Sequence, residues 1–115
     1  MKHYDIYKQN NQRELEQSLS FSLFYQKDQI GFARVITDYA TFAYLCDVLI
    51  AEHYQNQGYG KFLMKYIFEQ ETLKSVKWVL RTNDAHEFYE KFGFLKTHRP
   101  ERYMEKNVQY EGIAK

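Results

Sequence analysis

Residues 55–61 read Gln-Asn-Gln-Gly-Tyr-Gly-Lys, with Gly58 and Gly60 set between an apolar run and a helical one. Glycines at such a junction let the backbone approach a ligand. The amides of the helix's first turn point outward, with the positive end of the helix dipole behind them. That chemistry suits a pyrophosphate, although a tight strand-to-helix turn needs the same glycines without any ligand. No Gly-Lys-Ser/Thr follows, and the third glycine of a dinucleotide fingerprint is replaced by Leu63, which argues against ATP and NAD. Asp47 is the one ionisable group in the run from Thr41 to Ile50, so it is either a paired structural carboxylate or a site residue facing a cleft. A second segment, Asp84-Ala85-His86-Glu87-Phe88-Tyr89-Glu90-Lys91-Phe92-Gly93-Phe94, brings titratable and aromatic residues together.

These residues need a scaffold. Ser20 to Tyr25 and Gln29 to Thr37 read as an antiparallel hairpin around Gln26-Lys27-Asp28. After a break at Asp38-Tyr39-Ala40, Thr41 to Ile50 is apolar on both faces, the pattern of a central strand covered on both sides. Phe42, Tyr44, Cys46, Val48 and Ile50 would share one face, opposite Ala43, Leu45 and Leu49. The loop Ala51 to Gln57 leads to a helix over Tyr59 to Glu71, and Val76 to Thr82 returns as a strand. Such a unit crosses over right-handedly and makes its two strands parallel, with the glycine-bearing loop at the carboxyl end of the first. A helix over Asp84 to Phe92, capped by Asp84 and stopped by Gly93, comes next. Phe94 to Thr97 and Arg102 to Lys106 are then expected as a last strand pair around Pro100. At the other end, Asn10 to Ser18 reads as a peripheral helix. The fold class is α/β: a mostly antiparallel mixed sheet with one parallel pair at its middle, flanked by helices.

At 115 residues the chain is expected to be one domain, with 107–115 a loose tail. A net charge of +1 supplies no global field for phosphodiester polymers, so nucleic acid is not expected as a partner. Nor is a membrane, since no apolar stretch approaches the roughly 20 residues of a span and Met1 to Asn11 lacks a secretory signal's apolar core. A lone cysteine, Cys46, forms neither an internal disulfide nor a zinc knuckle and reads as a small buried hydrophobe in a reducing compartment, hence the cytoplasm; no metal is expected. The 11 Tyr and 9 Phe fit a small core built from large pieces.

Taken together, the two motif segments resemble the GNAT family of N-acetyltransferases. The family's Arg/Gln-x-x-Gly-x-Gly/Ala run is matched by Gln55, Gly58 and Gly60. Its Ala-x-x-Leu-Tyr-x-x-x-Gly-Phe run is matched by Ala85, Phe88, Tyr89, Gly93 and Phe94. The resemblance covers about Phe21 to Glu105, and Gly31-Phe32-Ala33-Arg34-Val35, Asp47-Val48 and Thr82-x-Asp84-Ala85-His86 are similar to one bacterial branch. It implies a GNAT-like acyl-CoA N-acyltransferase fold with a splayed parallel strand pair, and acetyl-CoA as cofactor. It also implies direct transfer of the acetyl group, in a ternary complex, to a primary amine of a small molecule or peptide.

The resemblance further implies that the amides of Gln55, Asn56, Gln57, Gly58, Tyr59, Gly60 and Lys61 receive the pyrophosphate. Val48, Leu49 and Ile50 would line the pantetheine arm, with the Leu49 amide facing the thioester carbonyl. Thr82 stands where the family often has an Asn that assists the cofactor, and the adjacent Asn83 offers a substitute. Tyr89 aligns with the tyrosine that protonates the departing thiolate. The amine must be neutral to attack, and an alkylammonium of pKa about 10.4 is almost wholly protonated at neutral pH. Asp47 ranks first as the base, ahead of Glu52 and His86, and Asp38 and Tyr39 are candidates for acceptor contact. Residues 1–18 form a reduced N-terminal segment beside the family pattern, so part of the acceptor wall is expected either to be missing or to come from a second subunit, as in a homodimer. Two other readings stay open: a non-catalytic acyl-CoA-binding domain on the same fold, and an RNA-binding sheet echoed by Lys91-Phe92-Gly93-Phe94-Leu95.

Overall fold

Apolar residues at every second position decide which way the sheet faces. In the computed structural model, which describes residues 4–11 and 18–106, Leu19, Phe21 and Leu23 are buried on one side of a strand. That strand, β2 (Ser18–Tyr25), lies between β1 (Tyr4–Asn11) and β3 (Asp28–Thr37), and β4 (Phe42–Ile50) completes an antiparallel meander. β5 (Lys77–Leu80) joins β4 in parallel, giving the order β1-β2-β3-β4-β5. Ala33 and Val35 of β3 and Ala43 and Leu45 of β4 continue the buried face. Helix α1 (Tyr59–Phe68) covers it with Leu63, Met64 and Ile67, and the Phe68 ring meets Trp78 edge-on at 4.8 Å, tying the helix to β5. Helix α2 (His86–Glu90) brings Phe88 and Tyr89 against the same core.

The hairpin, the glycine loop, the crossover helix and the parallel pairing all stand as the sequence predicts. The first 18 residues differ. Asn10 and Asn11 belong to β1, which pairs along its whole length with β2, and Ser18 opens β2. Residues 12–17, the remainder of the expected helix, lie outside the described residues, as does the tail 107–115. β1 is an edge strand of polar sequence with Tyr7 60% exposed, so it has no alternating apolar face to betray it.

The expected final strand pair is absent. Phe94–Thr97 and Arg102–Lys106 are not strands, and a single 3-10 turn spans Pro100–Arg102. After Gly93, at φ +97, the Phe94 ring packs 5.5 Å from Phe68 and 5.8 Å from Tyr89, which draws the chain onto the helix layer instead of along β5. Among the described residues the parallel pair therefore lies at one end of the sheet, not at its middle. The second face of β4 is also barer than expected, with Phe42 43% and Leu49 64% exposed.

The strict alternation read along β4 fails at Asp47. Arg34 pairs with Cys46 and Phe32 with Leu49, so Ala33 alone opposes Asp47 and Val48, and Asp47 adopts φ +55. This β-bulge reverses the side-chain parity. Ala43 and Leu45 face the core before it, whereas Val48 and Ile50 pack against the core after it.

Candidate functional site

The glycine loop is braced on both sides by its own side chains. Ala51 N–H donates to the Ile30 carbonyl at 2.8 Å, fixing where the chain leaves β4. Gln55 Nε2 donates back to the Ile50 carbonyl and Gln57 Nε2 to the His53 carbonyl, each at 2.9 Å. The Tyr54 ring stands between Tyr25 and Tyr59, with centroids 6.4 and 5.6 Å away. Asn56 at φ +62 and Gly58 at φ +92 are both left-handed, and left-handed residues set into a turn build the backbone nests that hold anions. The first helical bond of α1 is donated by Phe62 N–H to the Gly58 carbonyl at 3.0 Å, so the amides of Gly60 and Lys61 precede it at the helix's positive end. Apart from Gly58 and its two chain neighbours, no described residue has a heavy atom within 4 Å of where a Cβ on Gly58 would sit. Open space over a braced loop and an N-terminal helical turn fits a phosphate-bearing ligand.

Beside this loop the parallel strands part company. β4 and β5 are paired from Phe42 with Lys77 to Leu45 with Leu80, where β5 ends while β4 runs on to Ile50. The bulge lies in the stretch that pairs with β3 but no longer with β5. A Cβ on Gly60 would meet Phe88 Cζ at 3.6 Å and Ile50 Cγ1 at 3.8 Å, so the end of β4, the first turn of α1 and α2 converge there. Tyr89 follows Phe88 in α2, its ring held against Phe88 at 5.0 Å and Phe94 at 5.8 Å. Burial pushes the Tyr89 phenol above its ordinary value, which keeps it protonated through the neutral range. Its hydroxyl makes no hydrogen bond among the described residues.

Several other sequence candidates have structural occupations. Asp47 accepts from Arg34 Nε at 3.1 Å and Nη2 at 3.0 Å, both on Oδ2, so the paired carboxylate is the arrangement observed. Thr82 Oγ1 accepts from the Ala85 N–H at 3.0 Å, and α2 has Ala85 at its N-cap with no side-chain cap, so the cap expected of Asp84 is not made. Asn83, Glu52 and His86 are exposed. The structure does not bring Asp38 and Tyr39 to the loop. They form the turn before Phe42, eight strand steps or about 26 Å from Ile50. The Asp38 carboxylate accepts from the Thr41 hydroxyl and from the amides of Ala40, Thr41 and Phe42, and these bonds, the hydroxyl's foremost, hold it well below the usual carboxylate range.

The sequence reading passed over Arg34 as a partner and Gln55 as a brace. Counting back from the Asp38 turn puts Arg34 opposite Cys46, one residue from Asp47, and that cross-strand opposition of charge was the available signal. Among the described residues no cluster of His, Cys, Asp or Glu could hold a metal, and no helix is long and apolar enough to cross a membrane.

A strand, a braced glycine loop and a helix set beside a parting parallel pair define an α/β protein with an open loop at the end of its sheet. Residues 16–96 match the model of the Acetyltransferase (GNAT) domain, and the chain belongs to the GNAT acetyltransferase family. A GNAT-family protein of Xanthomonas campestris pv. campestris is 41% identical, with a TM-score of 0.76 over 79% of this chain and 65% of that one. The uncharacterised N-acetyltransferase ycf52 of Gracilaria tenuistipitata var. liui is 35% identical in an 80-residue alignment that covers 64% of this chain and 44% of the relative. The chain thus spans less than two thirds of either. A GNAT acetyltransferase of Elizabethkingia anophelis, solved with acetyl-CoA bound, shares the fold with a TM-score of 0.67 over 97% of this chain and 92% of its own, at 20% identity.

Proposed function

We propose that the chain transfers the acetyl group of acetyl-CoA to a primary amine. The observation that carries this reading is the loop itself: left-handed Asn56 and Gly58, then the Gly60 and Lys61 amides ahead of the first helical bond, opening beside the end of β4. In this reading the amides from Gln55 to Lys61 take the pyrophosphate, with Lys61 the nearest cation, and Val48 to Ile50 line the pantetheine arm. Acetyl-CoA, when bound, supplies an activated thioester.

The rest falls to the chain's own groups. Leu49 pairs with Phe32 of β3, so a backbone N–H of Val48 or Ile50, on the edge of β4 that β5 leaves unpaired, is the donor for a carbonyl oxygen that gains negative charge. Tyr89 holds a proton for the departing sulfur, and its raised pKa keeps that proton in place at neutral pH. With the Oδ2 of Asp47 taken by Arg34, the acceptor's proton goes to solvent in this reading, so turnover rises with the fraction of neutral amine.

The test is calorimetric titration with acetyl-CoA and CoA, with thiol release followed on the same sample against a panel of primary amines. Saturable binding plus amine-dependent thiol release is expected, and Gly58→Glu, which puts a carboxylate into the open space over the loop, should abolish both while the protein stays folded. Binding without thiol release for any amine would favour the non-catalytic acyl-CoA-binding reading. Absence of binding would refute the loop assignment.

A further inference from the structure

We infer that Arg34 is a positioning residue for the cofactor's pantetheine arm, acting through Asp47 on the bulge of β4; the inference rests on the acetyltransferase reading above. Asp47 is a residue with a Cβ held at φ +55, a conformation that costs free energy unless the surroundings fix it. Arg34 Nε and Nη2 converge on its Oδ2 at 3.1 and 3.0 Å from the neighbouring strand. The two side chains are 31% and 55% exposed, and ion pairs that wet add little to global stability. The value of this one lies in the backbone it pins.

The alternative backbone shows what is pinned. A regular strand through Phe42–Ile50 would continue the alternation of Ala43 and Leu45, turning Asp47 and Leu49 toward the core and Val48 and Ile50 away from it. Ile50 would then leave its place between Gly31, whose added Cβ would lie 3.0 Å from Ile50 Cδ1, and Gly60. The amides and carbonyls of Val48 to Ile50 would face the opposite way. The bulge therefore selects which backbone groups look into the gap beyond the Leu45–Leu80 pair, and Arg34 holds the bulge.

Two probes separate this role from the phosphate loop: CoA, which carries the pantetheine arm, and adenosine 3′,5′-bisphosphate, which lacks it. Arg34→Met is expected to weaken CoA at least tenfold while leaving the nucleotide's affinity within twofold, and Arg34→Lys to fall between. Unchanged nucleotide binding also certifies the fold. Asp47→Gly in the Arg34→Met background should restore CoA to within threefold of wild type, because glycine adopts φ +55 without an anchor. Equal loss for both probes, unaltered CoA binding in Arg34→Met, or no rescue by glycine would overturn the inference while the acetyltransferase reading stands. If wild type binds neither probe, that reading falls and this inference falls with it.

Discussion

Gly58 and Gly60 are alike in the sequence motif and opposite in the structure, so one substitution at each should move stability in opposite directions. Gly58 sits at φ +92, where alanine has the space for its Cβ but not the backbone preference, a cost of about 1–2 kcal/mol. Gly60 lies inside α1, and an added Cβ would make ordinary contacts at 3.6 Å with Phe88 and 3.8 Å with Ile50. Alanine there lowers the entropy of the unfolded chain and gains about 0.5–1 kcal/mol. With an unfolding entropy of about 2.1 cal/mol/K per residue, a domain of this size shifts about 4 °C per kcal/mol. Gly60→Ala should therefore melt about 6–12 °C above Gly58→Ala, with wild type between them. Trp78, the single tryptophan, is packed against Phe68 and reports the transition by fluorescence. CoA titration of Gly60→Ala should match wild type, because its Cβ fills the contact with Phe88 and Ile50 and not the open side of the loop. Two variants shifting in the same direction would refute the left-handed assignment of Gly58 on which the anion nest depends.

The remaining expectations concern chemistry and pH. Tyr89→Phe should lower kcat about 100-fold with the KM for acetyl-CoA unchanged, measured by thiol release once an acceptor is in hand; a parallel loss in CoA affinity would make the phenol a packing group. In wild type, kcat/KM for the acceptor should climb with pH as the neutral amine accumulates, and the acid's contribution should disappear only above pH 10, since burial raises the Tyr89 phenol. A rising limb that ends in the carboxylate range would instead name a carboxylate base. Asp38 has a folded-state pKa below its unfolded value, so its contribution is complete above about pH 4 and fades as pH falls toward the folded value. Asp38→Ala should lower the unfolding midpoint at pH 7 and flatten the loss below pH 4, and an unaltered acid limb would show that the turn does not depend on that carboxylate.

The parts of this molecule that were legible are those where one local rule acts alone. The β2–β3 hairpin, the glycine loop and the face of α1 each announce themselves through turn chemistry or a single hydrophobic period. β4 does not, because its period breaks inside the strand. Phe42, Tyr44, Cys46, Val48 and Ile50 look like one face on paper, yet the extra residue at Asp47 puts Val48 and Ile50 on the side of Ala43 and Leu45. A bulge is a property of two strands in register, and the partner's contribution, Arg34, lies 13 residues away. β1 was hidden for a different reason: an edge strand needs backbone partners more than apolar side chains, and polar Tyr4–Asn11 finds them in β2. The expected pair after Gly93 failed because aromatic packing competed with strand formation, and Phe94 went to Phe68 and Tyr89.

The same competition explains why the candidate site lies where it does. Parallel pairing stops at Leu45 with Leu80, since beyond that point β4 is committed to its bulge and its backbone no longer follows β5 in register. A gap at that place is stable only if its rim is fixed independently of the missing pairing. Three separate devices fix it: the Arg34–Asp47 pair on the sheet, the Gln55 amide tying the loop to the Ile50 carbonyl, and the contact of Ile50 with the Gly60 turn and Phe88. The first two are polar contacts near the surface, so either can be removed singly without unfolding the core of Leu19, Phe21, Leu23, Leu63, Met64 and Ile67. That separation of rim from core is what makes a variant such as Arg34→Met interpretable: a change in CoA binding there can be set against an unfolding midpoint governed by the core.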